Sequence, residues 1–291
     1  MKRMPDLAVP ELTCIVTGAT SGIGEAIATG LAARGATVLA VARTSARADA
    51  ALTRIRRRVP EARIEMLVAD LSMLDQVAEL ADQVTARVDR LDVLILNAGV
   101  ARPRRELTSD GFEVDFATNH LSPFLLTQRL RELLLASAPA RVITVASSAH
   151  RHVKDLDFDE LPTGRNFHQL RTYSATKLLT VLFTLELARQ LAGSGVTVNA
   201  ADPGFVRSGL GRDAAGGFGL FLKLMRPCQH RPDRGAATPL YLATSAEAAT
   251  TSGGYFAHCH PAKPSPLAQD QSTAERLWSL SSDLVTRKVQ P

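Results

Sequence analysis

The stretch "TCIVTGATSGIG" (residues 13–24) leads from an apolar run through a glycine-rich turn into an amphipathic segment. A short apolar run that ends in such a turn is typical of a buried strand entering a helix. Gly18, Gly22 and Gly24 have no Cβ, so they permit a tight turn and let backbone N–H groups approach a pyrophosphate at a helix N-terminus. The stretch therefore predicts a strand-turn-helix unit that binds a dinucleotide.

Short apolar runs and longer amphipathic segments alternate along the rest of the chain. Near-continuous apolar runs indicate strands buried on both faces, as in a parallel sheet covered by helices. We predict strands within 13–18, 36–43, 63–70, 91–99, 140–148, 196–204 and 253–258, and a closing helix at 272–285. This order predicts an α/β fold, a Rossmann-type doubly wound parallel sheet in a single domain over 1–291, whose ligands bind at the carboxyl ends of the strands.

Composition argues against several other classes of protein. Hydrophobic residues make up 45% of the 291 residues and charged residues 22%, as in ordinary globular domains. The net charge of +5 arises within residues 1–60, and aromatic residues are only 5%, so we expect no nucleic-acid partner. Cys14, Cys228 and Cys259 are odd in number and far apart, which indicates a reducing compartment. We expect no metal at "HCH" (258–260), because no second cluster has zinc spacing.

The first residues, "MKRMPDLAVPEL", contain no apolar signal core, and no run reaches membrane-spanning length. We therefore expect a soluble, cytoplasmic protein without a membrane anchor, in which residues 1–11 form an N-terminal tail.

The end of the second predicted strand, "VARTSAR" (41–47), bears on the choice of dinucleotide. Proteins that bind NAD usually place an acid there, whereas here Ala42 takes that position and Arg43 follows. A guanidinium can hold a 2′-phosphate through paired, charge-assisted hydrogen bonds, so we predict NADP(H) rather than NAD(H), with Arg47 as a second candidate. The alternative is that Arg43 only ends the strand in solvent. The basic run "TRIRRRVP" (53–60) is either a solvated helix face or an attractive field for a phosphorylated ligand.

In "RTYSATKLLT" (171–180), Tyr173 and Lys177 are four residues apart, which places both on one face of a helix. They are either a reactive pair or two ordinary helix residues. Several motifs support the first reading because they come in a familiar order: "TGATSGIG", "NAG" (97–99), a serine after "VITVAS", "YSATK" (173–177) and "NAADPGFVRS" (199–208). With them, the chain resembles the short-chain dehydrogenase/reductase family over roughly residues 12–285. Its retinol dehydrogenase-like branch is the most similar, through "TNHLSPFLLTQRL" (118–130) and "LLTVLFTLELARQL" (178–191).

The resemblance implies roles for four residues. Tyr173 would transfer a proton, and the ammonium of Lys177 would favour the phenolate and lower the phenol's pKa. Asn119 would sustain a helix irregularity and a water that links the lysine to solvent. A serine would orient the substrate carbonyl, and alignment without a gap favours Ser147 over Ser148.

The resemblance also implies the residues that contact the cofactor. The Asp at position 202 departs from what is usual before Pro-Gly in this family. The implied cofactor-binding residues are Gly18, Thr20, Ser21, Gly22, Ile23, Gly24, Arg43, Asp70, Leu71, Asn97, Ala98, Gly99, Tyr173, Lys177, Pro203, Gly204, Val206 and Ser208.

Two insertions flank the expected substrate side. In the first, residues 149–170, we expect the histidines at 150, 152 and 168 to be solvated. The second, residues 207–233, is either an apolar lid over a lipophilic substrate or a short helix that only packs. Its apolar side chains are Phe218, Leu220, Phe221, Leu224 and Met225.

The sequence therefore predicts an NADPH-dependent enzyme that interconverts a lipophilic ketone or aldehyde and its alcohol, such as a biosynthetic ketoreductase. The alternatives keep the fold and cofactor site but use them for a non-redox step (cyclisation or epimerisation) or for regulation. Members of the family are often dimers or tetramers, so the resemblance allows a homo-oligomer.

Overall fold

The strands carry the series of apolar runs that the sequence shows. The computed structural model describes residues 12–206 and 230–289. Cys228, the predicted N-terminal tail 1–11 and most of the predicted insertion 207–233 lie outside this part. The described strands are β1 (Thr13–Val16), β2 (Thr37–Ala42), β3 (Ile64–Val68), β4 (Val93–Leu96), β5 (Ala140–Val145), β6 (Val196–Asp202), β7 (Gly254–Ala257) and β8 (His260–Ala262).

These strands form one sheet in the order β3-β2-β1-β4-β5-β6-β7-β8. Every neighbouring pair is parallel except β7 and β8, which are antiparallel. The order reverses between β1 and β4, which is where a doubly wound sheet opens its ligand crevice. The predicted α/β fold class is confirmed.

The edge strand β8 was not predicted. It follows a tight turn in which His258 and Cys259 have positive φ values of 52° and 64°. Two consecutive residues in this conformation are typical of a two-residue hairpin turn. The "HCH" stretch is thus the turn that reverses the chain from β7 into β8.

Helices cover both faces of the sheet. They are α1 (Gly22–Ala32), α2 (Ser45–Arg58), α3 (Leu74–Thr85), α4 (Val114–Phe116), α5 (Ser122–Arg129), α6 (Arg131–Ala136), α7 (Gln169–Gln190), α8 (Pro232–Gly235), α9 (Ala237–Thr244) and α10 (Gln271–Val289). One apolar cluster packs α3, α5, α7 and α10 against the sheet, and a second packs α1, α2 and α9 against its other face. Within the described ranges, no helix is long and apolar enough to cross a bilayer.

Helix α7 is buried along most of its length because it lies between the sheet and α10. Leu179 and Leu182 are fully buried, and each such side chain contributes about 1.5–3 kcal/mol to folding. From α10, the Trp278 ring stacks on Phe183 at 6.0 Å and meets Phe124 edge-on at 4.8 Å. This packing holds α7, and with it the predicted Tyr173–Lys177 pair, in a set position over the ends of β4 and β5.

Candidate active site

The glycine-rich turn after β1 packs directly on the residues that follow β4. Gly18 and Gly22 have positive φ values of 66° and 58°, which favour glycine. A Cβ on Gly24 would lie 2.3 Å from the Gly18 carbonyl oxygen and 2.4 Å from Asn97 Nδ2, so no other residue fits there. Ser21 precedes α1 in extended conformation, and its side chain makes no capping hydrogen bond. The first amides of α1 have no intrahelical acceptor, so this cradle fits a pyrophosphate.

Thr17 joins this turn to the loop after β4. Its Oγ1 accepts hydrogen bonds from the backbone N–H groups of Asn97 (2.9 Å) and Ala98 (3.0 Å). In return, Asn97 Nδ2 donates to the Thr17 carbonyl oxygen at 2.8 Å. Sequence reasoning missed Thr17, and its place at the head of "TGATSGIG" was the signal that would have found it.

At the end of β2 the structure places a small buried residue and then an exposed cation. Ala42 is buried, and its carbonyl accepts a hydrogen bond from the Ala69 N–H, which brings the loop after β3 alongside. In that loop, Asp70 Oδ1 accepts hydrogen bonds from the Ser72 N–H (3.0 Å) and hydroxyl (2.8 Å), and Leu71 is buried. Arg43, which follows Ala42, is exposed.

The basic run on α2 divides into two parts. Residues 56–58 are exposed, as the solvated-face reading predicts. Arg54, by contrast, donates to the Thr20 carbonyl at 2.9 Å and forms an ion pair with Glu25 at 2.7 Å. Arg54 therefore braces the glycine-rich turn, a role that neither reading of the run contained.

Asn119 lies in a π-helical turn, Ala117–Leu121, between α4 and α5. Its Oδ1 accepts a hydrogen bond from the Val100 N–H at 2.8 Å, and its Nδ2 donates to the Val100 carbonyl at 2.8 Å. Nδ2 also donates to Thr176 Oγ1 on α7 at 3.0 Å. The side chain thus ties the loop after β4 to α7 across the widened turn.

The structure brings Ser147, Tyr173 and Lys177 together at the carboxyl end of β5. Lys177 Nζ donates to the Val145 carbonyl at 2.9 Å and lies 5.8 Å from the centre of the Tyr173 ring. Ser147 Oγ accepts a hydrogen bond from the Ala149 N–H at 3.2 Å, and the side chain is near enough to the Tyr173 phenol to lower its pKa. Ser148 is exposed at the start of a 3₁₀ turn, Ser148–His152. Of the two candidate serines, Ser147 is therefore the one beside the tyrosine.

Burial sets the ionisation of this pair. It raises the pKa of Tyr173, an effect that the hydrogen bond with Ser147 opposes and that the charges of Asp202 and Asp115 reinforce. It lowers the pKa of Lys177 to about 8, which the charge of Asp202 partly offsets. Loss of hydration dominates the pKa of Tyr173 in the protein without cofactor. The lowering of this pKa by Lys177 stays a prediction for the cofactor complex. The phenol is protonated at neutral pH.

His150 was expected to be solvated, and this was wrong. The side chain is fully buried behind Ser147. Its Nε2 accepts a hydrogen bond from the Ser265 N–H at 3.0 Å, so Nδ1 carries the proton and donates to the Ser147 carbonyl at 2.7 Å. Burial lowers the pKa of His150, which keeps the ring neutral. Through its hydrogen bond to the carbonyl, the ring fixes the backbone of Ser147.

The loop after β6 closes the crevice. Gly204 has a φ of 73°, and its N–H donates to Asp202 Oδ1 at 2.8 Å. After Pro203 and Gly204 the chain runs to Val206, which is buried and forms a bridge with His230. Val206 and Ile23 both contact Gly235, so this loop packs beside the start of α1. Ser208 and the predicted apolar lid residues lie outside the described ranges.

The strands thus gather most of the sequence-predicted site residues along one edge of the sheet. The remaining predicted contacts lie there too: Thr20 in the first turn, and Ala98 and Gly99 after β4. A Cβ on Gly99 would lie 3.5 Å from Lys177 Nζ and from Asn119 Oδ1, which places this loop against the catalytic candidates. The arrangement can hold a dinucleotide and present a protonated phenol beside it.

Comparison with known proteins agrees with this geometry. A family model described as short chain dehydrogenase matches residues 12–215. Human retinol dehydrogenase 13 is 40% identical over 288 residues, which cover 95% of this chain and 85% of that protein. A crystal structure of an uncharacterized protein from Mycobacterium paratuberculosis is 33% identical, with a TM-score of 0.76 over 96% of this chain and 95% of that one. The Pseudomonas aeruginosa RhlG/NADP active-site complex is 26% identical, with a TM-score of 0.70, covering 94% and 100% of the two chains.

Proposed function

This chain belongs to the short-chain dehydrogenase family and to its retinol dehydrogenase-like branch, and we propose that it is an NADPH-dependent reductase of lipophilic ketones or aldehydes. Membership makes it an oxidoreductase that transfers hydride. The cofactor, the direction and the substrate class are the parts that we propose, together with the roles of the individual site residues.

The observation that carries the proposal is the protonated Tyr173 phenol beside the Ser147 hydroxyl. Reduction of a carbonyl needs a proton donor at the oxygen that gains negative charge, and a phenol with a raised pKa keeps that proton at neutral pH. Oxidation of an alcohol needs the phenolate instead. Tyr173 is half-buried, and its protonated phenol supports reduction as the direction that we propose.

When bound, NADPH supplies the hydride that adds to the carbonyl carbon. Ser147 donates a hydrogen bond to the carbonyl oxygen and orients it. Tyr173 passes its phenolic proton to the same oxygen, which completes the alcohol and leaves a phenolate. The ammonium of Lys177 stabilises that phenolate, and Asn119 holds the loop after β4 against α7. Residues of the three loops after β1, β4 and β6 would hold the cofactor.

Two features of the β2 end support NADPH over NADH. Ala42 stands where an acid would hold the ribose hydroxyls, and the exposed guanidinium of Arg43 follows it. The Pseudomonas aeruginosa relative forms a complex with NADP.

Exposed apolar side chains beside the site support a lipophilic substrate. Leu170 is 41% exposed and lies one helical turn before Tyr173 on the same face of α7. Phe205 is 40% exposed next to Gly204. The name of the human relative, retinol dehydrogenase 13, refers to a lipophilic alcohol. We propose that residues 207–233 form the lid over this apolar region.

The test is a fluorescence titration with NADPH and NADH, followed by turnover on carbonyls matched for reactivity. Long-chain aldehydes, retinaldehyde and aryl ketones represent the lipophilic class, and glyceraldehyde serves as the polar control. We expect tighter binding of NADPH than of NADH and turnover of the lipophilic carbonyls. NADPH binding without turnover of any carbonyl or alcohol would point to a non-redox or regulatory use of the site. Absence of binding by either cofactor would contradict the proposal as a whole.

Ser147→Ala and Ser148→Ala form a matched pair that tests the serine assignment. We expect Ser147→Ala to lower kcat about 10²-fold, because it removes one donor to the developing oxyanion. Ser148→Ala should stay within about twofold of the wild type, since its side chain is exposed. Steady-state kinetics with saturating NADPH measures both, and the reverse ranking would show that the wrong serine was chosen.

A further inference from the structure

Asp202 is a buried carboxylate whose surroundings the proposed reaction does not yet explain. It ends β6 and is 7% exposed. Its Oδ1 accepts a hydrogen bond from the Gly204 N–H, and its Oδ2 accepts one from the Tyr255 hydroxyl at 2.6 Å. Both donors are neutral, so these hydrogen bonds bring no positive charge to the carboxylate. Burying a carboxylate costs desolvation free energy unless a nearby positive charge offsets it.

The sheet sets where that charge acts. Strands β5 and β6 pair in register, Val145 with Ala201, and the Ala146 N–H donates to the Ala201 carbonyl at 2.9 Å. Asp202 therefore lies beside the end of β5, where the Val145 carbonyl holds Lys177 Nζ and Ser147 meets Tyr173. From this neighbouring strand its charge acts on both members of the reacting pair.

Resting on the proposed reduction, we propose that Asp202 is a positioning residue: its carboxylate, fixed by Gly204 and Tyr255, holds Lys177 as an ammonium and Tyr173 as a phenol. Those are the two protonation states that carbonyl reduction requires before proton transfer. The charge of Asp202 raises the pKa of both groups, because it attracts the ammonium and repels the phenolate.

Among the ionisable groups of the described ranges, Asp202 is the one whose charge acts on both Lys177 and Tyr173. Burial and the neighbouring Glu113 raise the pKa of Asp115 to about 7, so it is only partly charged at neutral pH. Burial lowers the pKa of His120 to about 3, and this residue lines a small cavity with Lys177 as a neutral ring. Arg151 lies over the Tyr255 ring at 5.9 Å. The titratable and charged groups that face the pair or Asp202 are thus Tyr173 and Lys177 themselves, Asp115, His120, His150, Arg151 and Tyr255.

The direction of the effect follows from its sign. In Asp202→Asn the shape is retained and the charge is lost. Oδ1 can still accept from the Gly204 N–H, and the new Nδ2 can donate to the Tyr255 hydroxyl, which then accepts. The pKa values of Lys177 and Tyr173 should both fall. Reduction loses rate as pH rises through these pKa values, so the alkaline limb of its pH profile should move to lower pH. We expect a shift of about half a unit to one unit. Asp202→Glu keeps the charge and should hold the limb near its wild-type position.

The experiment is a pH titration of the full-length chain without cofactor, with ¹³C-labelled lysine observed by NMR and Lys177 assigned through Lys177→Arg. We expect the wild-type Lys177 midpoint near 8 and a midpoint lower by about half a unit to one unit in Asp202→Asn. Tyr255→Phe removes a hydrogen bond but no charge, so its midpoint should stay within about 0.2 units. The pH profile of kcat for carbonyl reduction is then measured on the same variants.

Two results would overturn the inference. One is an unchanged Lys177 midpoint in Asp202→Asn, and the other is an equal fall in Tyr255→Phe, which would show a purely structural role. If Asp202→Asn does not fold, Asp202→Ser repeats the charge removal with a smaller side chain. The NMR midpoint is measured without turnover. If the protein shows no carbonyl reductase activity, the proposed function is refuted, and the Lys177 midpoint still tests the role of Asp202. If the protein is a reductase but its Lys177 midpoint is the same in Asp202→Asn, the proposed function stands and the role of Asp202 is refuted.

Discussion

Tyr173→Phe is expected to lower kcat for carbonyl reduction about 10²–10⁴-fold, because it removes the proton donor and leaves the ring in place. The ring packs at the end of β5, and the hydroxyl is the part that meets Ser147. The Kd for NADPH should change little, since the lost atom faces the substrate oxygen. Single-turnover kinetics with saturating NADPH measures the chemical step directly.

Tyr241→Phe is the matched control for this variant. Tyr241 lies on α9, on the other face of the sheet from α7. Its hydroxyl donates a hydrogen bond to Glu247, in the loop after α9, at 3.2 Å. The Tyr241→Phe variant loses the same hydroxyl oxygen as Tyr173→Phe and should keep the wild-type kcat. Full activity in Tyr173→Phe would refute the proton-transfer assignment, and equal losses in both variants would indicate damage to the fold.

Arg43→Asp should have the second largest effect, on the choice of cofactor. The guanidinium is exposed at the end of β2, so its replacement should leave the free energy of unfolding within about 0.5 kcal/mol of the wild type. Charge-assisted hydrogen bonds are worth about 1.5–3 kcal/mol, and the new carboxylate also repels a 2′-phosphate. We expect NADPH to bind about 10²-fold more weakly. NADH should bind as well as before or better, because the acid can hold the ribose hydroxyls.

Arg47→Asp provides the comparison, with the same change of charge one turn along on α2. If Arg43 contacts the phosphate, Arg47→Asp should weaken NADPH binding by less than tenfold, since it alters only the surrounding field. Fluorescence titrations of both variants with both cofactors, at two salt concentrations, distinguish a direct contact with the 2′-phosphate from a long-range electrostatic effect. An unchanged NADPH affinity in Arg43→Asp would refute the 2′-phosphate assignment.

Much of the fold could be read locally. Strands β1 to β7 each lie inside the predicted range, and the central strands are buried on both faces, whereas the edge strand β3 exposes Glu65 and Val68. The glycine positions also followed from local chemistry, because the crowding at Gly24 arises within one turn and its neighbour. The edge strand β8 was missed because "HPA" (260–262) has no strand pattern of its own and is defined only by pairing with β7.

The errors at the site share one cause. His150 looked like a loop histidine, yet its partner Ser265 is 115 residues away in sequence. Tyr255 and Asp202 are 53 residues apart, and nothing in either segment signals their hydrogen bond. The rise in the pKa of Tyr173 through loss of hydration likewise depends on elements from the whole chain, whereas the sequence showed only Lys177, four residues away.

The sequence alone therefore determined the doubly wound sheet, the glycine-rich turn and the family, and it named the side chains that we propose as reactive. These depend on periodicity, steric demands and residue chemistry, all of which are properties of short segments. Only the tertiary structure decided which serine meets Tyr173, how Asp202 and His150 surround it, and in which protonation state the phenol rests. Desolvation and long-range charge are properties of the assembled surroundings, so no single segment contains them.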